Sequence, residues 1–175
     1  MDQAAKRYKP LLFSVGIFLI SIAAYWNTRH GDFIYDDQSI IVSNPFIRSL
    51  DRIPLIFSSP YWGTHIGEDR RWKSSLYRPI PVITYALNYH WSGLQTTSYH
   101  LVNMLLHALC GVFVFLVGYR LFPTFHHGAA MAGVLFAVLP IHTEAVSNIV
   151  GRAELLSTLG LLMAWWCSLS PQKPW

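Results

Sequence analysis

Four long apolar stretches alternate with polar connections along the chain: Leu11–Trp26, His100–Phe122, Gly128–Val146 and Ala153–Leu169. A helix needs roughly 20 apolar residues to cross bilayer hydrocarbon. The fourth stretch is short against that length and is expected to be tilted, shallow or incomplete. Between the first two, Pro45–Phe57 and Pro79–Trp91 each read as a short helix with a broad apolar face. Such helices lie along the membrane surface or pack on the spans instead of crossing. The piece between them, Gly63–Ser75 (GTHIGEDRRWKSS), is polar and is expected to be mobile. The pattern predicts an all-α membrane protein, a multi-pass helical bundle of about four spans. A long extracytoplasmic loop would carry the interfacial helices.

Composition agrees. Of 175 residues, 53% are hydrophobic and only 13% charged, against about 25% charged in a soluble domain. The formal charge of +4 is no nucleic-acid footprint, because no basic stripe interleaves with aromatics. Cys110 and Cys167 sit inside apolar runs and read as small buried hydrophobes, without disulfide or metal-ligand spacing. The sequence has no Asn-x-Ser/Thr acceptor site.

Basic residues of short flanks set orientation. Lys6, Arg7 and Lys9 place the N-terminus in the cytoplasm, and Arg120 and Lys173 agree. The division is then a cytoplasmic N-terminus with a first span (1–26), an extracytoplasmic loop (27–98) and three further membrane segments (99–175). The first span also fits a signal peptide, with Ser21-Ile22-Ala23 as a cleavage site. Three later spans favour an uncleaved anchor.

The long loop holds an adjacent acidic pair, Asp36 and Asp37, in the aromatic-flanked stretch GDFIYDDQSIIVSNP. Adjacent carboxylates repel, so one calls for a raised pKa or a cationic or metal partner. A carboxylate near the bilayer can act as general base for a hydroxyl nucleophile. A helix N-cap at Asp37 explains the pair equally well. The second polar concentration is PIHTEAVSNIVGRAE (140–154), which sets His142, Glu144, Arg152 and Glu154 between two apolar stretches. Ionisable groups there are costly, although a polar hairpin reaching headgroup water accounts for one or two of them. A helical segment would align Glu144, Asn148 and Arg152 on one face. Arg152 would then grip a phosphate or carboxylate with its planar fork, or close an intrahelical ladder to Glu144. His142-Thr143-Glu144 matches half of a zinc deaminase signature, but the Pro-Cys-x-x-Cys half is absent. Arg78, before Pro79, is positioned to face a lipid phosphate or surface water. Asn103 and His107 share a face of the second span and are expected to be hydrogen-bonded inside the bundle.

Four runs, YDDQSIIVSNPFIRSL, SLYRPIPVITYALNY, SYHLVNMLLHAL and LPIHTEAVSNIVGRAELL, occur in an order that resembles the TMTC (transmembrane and tetratricopeptide repeat) family. The resemblance covers about residues 30–167. It implies a GT-C-like O-mannosyltransferase that moves sugar from a polyprenyl phosphate to a protein Ser/Thr hydroxyl. The partners it implies are the bilayer, the polyprenyl-phosphate sugar and a protein acceptor, with no nucleic acid. The setting is a bacterial cytoplasmic or endoplasmic-reticulum membrane. By the same resemblance Asp36 and Asp37 are catalytic. Arg78, His142, Glu144, Arg152 and Glu154 would hold the donor phosphate or acceptor. No metal ligand is assigned, and a divalent metal requirement stays open. Family members continue with further spans and then the repeats, so the chain is expected to be the N-terminal portion of a longer enzyme or an inactive truncated form. A non-enzymatic multi-pass subunit is the main alternative. A small transporter is weaker, because the ionisable groups gather at one interface instead of mid-membrane.

Overall fold

The computed structural model describes residues 2–62 and 76–169, with side chains from residue 10 onward. Gly63–Ser75, read above as a polar mobile loop, lies outside the described residues. Those described are helical and contain no strand. Helix α1 (Asp2–Tyr25) runs into a 3-10 turn, Trp26–His30. Helices α2 (Ile53–Ile56) and α3 (Pro79–Ser92) belong to the cap built from the long loop. The remaining helices are α4 (Thr96–Leu121), α5 (His126–Val138), α6 (Thr143–Ser147) and α7 (Arg152–Ser168).

Among the described residues, two helical stretches are long and apolar enough to cross a membrane: Pro10–His30, with mean hydropathy 1.7, and Thr96–Leu121, with 2.2. The third expected segment does not run straight. It bends by 47° between His126–Val138 and Pro140–Ser147, because Leu139, held extended ahead of Pro140 (φ −65°, ψ 127°), breaks the ladder. Counting that bent pair as one span brings the number to three. Helix α7 has 17 residues, about 25 Å at 1.5 Å per residue, which is short of the hydrocarbon thickness as the sequence indicated.

The expected single helix over Pro45–Phe57 is also corrected. It is a 3-10 turn at Pro45–Arg48, a second at Leu50–Arg52 and then α2. Ser49 between the turns is extended (φ −148°, ψ 144°), and Pro54 has no N–H to offer a continuous ladder. Helix α3 forms as expected, starting on Pro79 and ending where Gly93 takes φ 58°.

Helix α4 is the central post, with α1, α5 and α7 packed around it. Small residues allow the approach. A Cβ built on Gly133 of α5 would fall 2.8 Å from Ile17 Cδ1 and 3.1 Å from the Gly111 carbonyl oxygen. One end of the bundle is marked by Phe13 against Phe115 and His127, and by the Arg120 guanidinium over the Trp166 ring. At the opposite end Tyr25 donates its hydroxyl to the Leu139 carbonyl at 3.0 Å. The cap sits at that second end. Its apolar core joins Ile40, Ile41, Ile47, Ile56, Val82 and Tyr85 to Tyr99 of α4 and Ile149 beyond α6.

Candidate functional site

The 140–154 segment does not form the continuous helix that would align Glu144, Asn148 and Arg152. A 3-10 turn at Pro140–His142 leads into α6. Asn148 is then extended (φ −84°, ψ 125°), and a second 3-10 turn, Ile149–Gly151, precedes α7. The interruption leaves carbonyl groups without intrahelical donors, a cost unless a side chain supplies one. Asn103, buried in α4, does so: its amide nitrogen donates to the Asn148 and Ile149 carbonyls at 3.1 and 3.2 Å. Gly151 makes the turn possible, since a Cβ there would lie 2.5 Å from the Ala145 carbonyl oxygen.

Arg152 is fully buried at the head of α7. Its Nε donates to Asn103 Oδ1 at 2.9 Å, Nη1 to Asn88 Oδ1 at 2.7 Å and to Thr84 Oγ1 at 3.3 Å, and Nη2 to the Tyr99 carbonyl at 3.0 Å. The Tyr85 ring covers the guanidinium with its centroid 4.7 Å away. Four oxygens from α3 and α4 thus use all three nitrogens. As placed, Arg152 offers no free edge to a phosphate, and the intrahelical ladder to Glu144 is equally absent. It is the bolt that joins cap, central helix and turn.

The acidic pair is split. Asp37 is fully buried, and Asp36 next to it is exposed. Asp37 Oδ2 accepts from the Ile34 N–H at 3.1 Å, and Oδ1 from the Val150 N–H at 3.0 Å. Burial pushes its carboxyl above the usual carboxylate range, while those two N–H donors and the nearby Arg152 pull it back. It does not cap the turn that follows it, so the N-cap expectation is replaced by a long-range tie. Below it, burial raises the Tyr85 phenol well above its ordinary value. Tyr85 therefore stays neutral and donates to the Ile149 carbonyl at 3.3 Å.

Above this buried frame lies an open cleft of about 450 Å³. Its lining includes Asp36, Trp62, Arg78, Glu144, Asn148 and Glu154. Four sequence-predicted residues, Asp36, Arg78, Glu144 and Glu154, therefore meet around one space. Arg78 and Glu154 form an ion pair at 3.5 Å, with both side chains partly exposed, and the Tyr61 ring lies 5.5 Å from the Arg78 guanidinium carbon. His142 stands apart from that lining. It is half-buried against Phe136, ring centroids 4.3 Å apart, and against His107 at 5.3 Å. Asn103 and His107 are inside the bundle and hydrogen-bonded, as expected for polar groups on one face of a span. Among the described residues, no three His, Cys, Asp or Glu side chains are arranged to hold a metal ion.

Sequence reading missed the Arg152 cage. Asn88 looks like one polar residue in an amphipathic helix, and the Tyr99 carbonyl carries no sequence signal. Trp62 at the cleft was equally silent, being one aromatic among many.

No family profile matches the chain, and no solved structure matches it. Curated proteins do. A human protein named protein O-mannosyl-transferase TMTC3 is 44% identical over 142 residues, which is 81% of this chain and 15% of that protein. Human protein O-mannosyl-transferase TMTC2 is 40% identical over 155 residues, 85% of this chain and 17% of its own length. Drosophila melanogaster protein O-mannosyl-transferase Tmtc1 is 36% identical over 162 residues, covering 93% of the chain and 18% of its own length. The chain thus spans between 15% and 18% of the length of these three relatives, and over that span it belongs to the TMTC family.

Proposed function

We propose that the chain carries the acid–base end of a membrane O-mannosyltransferase-like site. That site would transfer a sugar from a polyprenyl-phosphate donor to a Ser/Thr hydroxyl of a protein acceptor. The observation that carries this reading is Asp36, exposed on a cleft beside Arg78 while its neighbour Asp37 is locked below. In a single displacement the acceptor oxygen bonds to the sugar C1 as the C1–O bond to phosphate breaks. The electron pair of that bond leaves on the phosphate, and Asp36 takes the hydroxyl proton. Arg78 is the cation lining the cleft that would face the departing phosphate. Glu144 and Glu154 remain for acceptor or sugar hydroxyls. Asp37 and Arg152 hold the frame and touch no substrate, and the position of His142 suits a packing role beside the bent α5–α6 pair.

The same reading sets the cleft on the extracytoplasmic face, with the N-terminus cytoplasmic, in an endoplasmic-reticulum or bacterial cytoplasmic membrane. Helix α7 is counted as a fourth, short span. A GT-C-like architecture would be completed by segments beyond those matched here. The names of the relatives support the activity, and the apolar lengths of α1 and α4 support the membrane setting.

The test is transfer of radiolabelled mannose from dolichyl- or undecaprenyl-phosphate mannose into membrane protein, catalysed by the full-length protein. Incorporation that Asp36→Asn abolishes at unchanged thermal midpoint supports the reading. Absence of wild-type incorporation with both donors, or full activity of Asp36→Asn, rejects it.

A further inference from the structure

Tyr35 is the residue whose conformation the fold does not account for. It has φ 45°, the one non-glycine residue with positive φ among those described, a region that bulky side chains rarely occupy. The turn is held by its neighbours: the Asp37 N–H donates to the Ile34 carbonyl at 2.9 Å, and Ile34 donates back to Asp37 Oδ2 at 3.1 Å. Glycine or asparagine would make that turn more easily. The tyrosine gains no packing in return, because its side chain is 86% exposed. Among the described residues its ring and hydroxyl make no hydrogen bond, ion pair or ring contact. Strain kept without a structural return, immediately before the exposed Asp36, is the pattern of a residue retained for a ligand.

We infer that Tyr35 is a specificity-determining contact for the protein acceptor, holding the hydroxyl-bearing segment beside Asp36. This rests on the transfer reading above and adds to it where the acceptor lies. An exposed phenol ring offers large contact area at little entropic cost, which suits a flexible polypeptide of variable sequence. The donor brings an anion, which Arg78 is placed to meet, and does not call for an aromatic outside the cleft lining. Ile141, 81% exposed and part of that lining, supplies a second apolar contact near the acceptor.

Water in place of the acceptor would release free sugar from the same donor. Transfer and hydrolysis share the donor site and differ in the acceptor contact. With radiolabelled polyprenyl-phosphate mannose and the full-length protein in its own membranes, label is counted in protein and in free mannose. Tyr35→Gly is expected to lower protein labelling at least tenfold with hydrolysis unchanged and a thermal midpoint no lower than wild type. Tyr35→Phe should retain labelling. Tyr35→Asn, which also tolerates positive φ, repeats the test should the glycine variant fold poorly. Wild-type labelling in the folded glycine or asparagine variant overturns the inference, and is what an aromatic seated only in lipid headgroups would give. So does a parallel fall in labelling and hydrolysis, which would put Tyr35 on the donor side. A wild-type protein that neither transfers nor hydrolyses removes the transfer reading itself, and this inference with it.

Discussion

Asp37 Oδ1 accepts a hydrogen bond from the Val150 N–H at 3.0 Å, tying together segments 113 residues apart. The other carboxylate oxygen is taken by the Ile34 N–H, so Asp37 aims its neighbour Asp36 and has little left for a substrate. Asn at position 37 keeps the shape but turns an NH2 group toward one of the two N–H donors. Leaving a buried donor unpaired costs about 1–3 kcal/mol. Asp37→Asn is therefore expected to lower the thermal midpoint and reduce transfer partly, through displacement of Asp36. Asp36→Asn should leave the midpoint alone and remove transfer. Differential scanning fluorimetry beside the transfer assay separates the two. Equal activity loss with equal stability would return Asp37 to a direct role.

Arg152 poses a larger demand. Substitution by Met strands Asn103 Oδ1, Asn88 Oδ1 and the Tyr99 carbonyl, all of them acceptors it now satisfies. Removing one side of a buried charged network typically costs on the order of 3–5 kcal/mol, a large part of a domain's stability. Arg152→Met should therefore insert poorly or be degraded. Lys restores the charge but not the fork that reaches three directions at once, so Arg152→Lys is expected to be intermediate. Protein level in membranes and resistance to limited proteolysis read the order wild type, Lys, Met.

These two residues also show what the sequence could and could not disclose. Ionisable groups among apolar stretches marked 140–154 as special, and the adjacent acids marked 36–37, because burying charge is expensive wherever it occurs. Apolar length marked α1 and α4, and an apolar face opening on a proline marked α3, where one local rule dominates. The direction of Arg152 was not legible. It depends on a broken helix at Asn148, and that break depends on an amide from Asn103, 45 residues earlier. Nor could adjacency alone say which aspartate is buried, since the partner of Asp37 is a backbone N–H without sequence identity. Pro45–Phe57 departs from a single helix for a local reason: its apolar face suggests one, but Ser49 is extended and Pro54 has no N–H for a continuous ladder.

Gly151 and Gly160 should respond oppositely to alanine. At Gly151 the new methyl would sit 2.5 Å from the Ala145 carbonyl oxygen and 2.8 Å from its Cα, backbone atoms that cannot swing aside. At Gly160, in α7, it would meet nothing within 4 Å. Helical Gly→Ala at an open position is worth up to about 1 kcal/mol. Gly160→Ala is thus expected to raise the thermal midpoint slightly. Gly151→Ala should lower it by several degrees and also weaken transfer, because the Ile149–Gly151 turn carries the Val150 N–H that holds Asp37. A neutral Gly151→Ala would show that the turn has room to relax.

Arg78 and Glu154 face each other at 3.5 Å with side-chain exposures of 39% and 56%. An ion pair so open to water contributes roughly 0–1 kcal/mol, so its loss should barely register in stability. Its consequence lies in the cleft, whose lining holds the three carboxylates Asp36, Glu144 and Glu154 together with Arg78. An incoming lipid phosphate would have to compete with Glu154 for that cation. Glu154→Gln removes the competitor, so the KM for polyprenyl-phosphate mannose is expected to fall by up to about fivefold, the equivalent of roughly 1 kcal/mol. Arg78→Ala should raise the same KM and slow the chemical step, since the phosphate loses its cation as charge builds on it. Arg78→Lys should recover part of both. Sodium chloride between 50 and 300 mM should weaken donor binding by wild type more than by Arg78→Ala, because screening acts on the charge that the variant lacks. Donor KM values that are the same for Arg78→Ala and wild type across that salt range would place the phosphate elsewhere in the cleft.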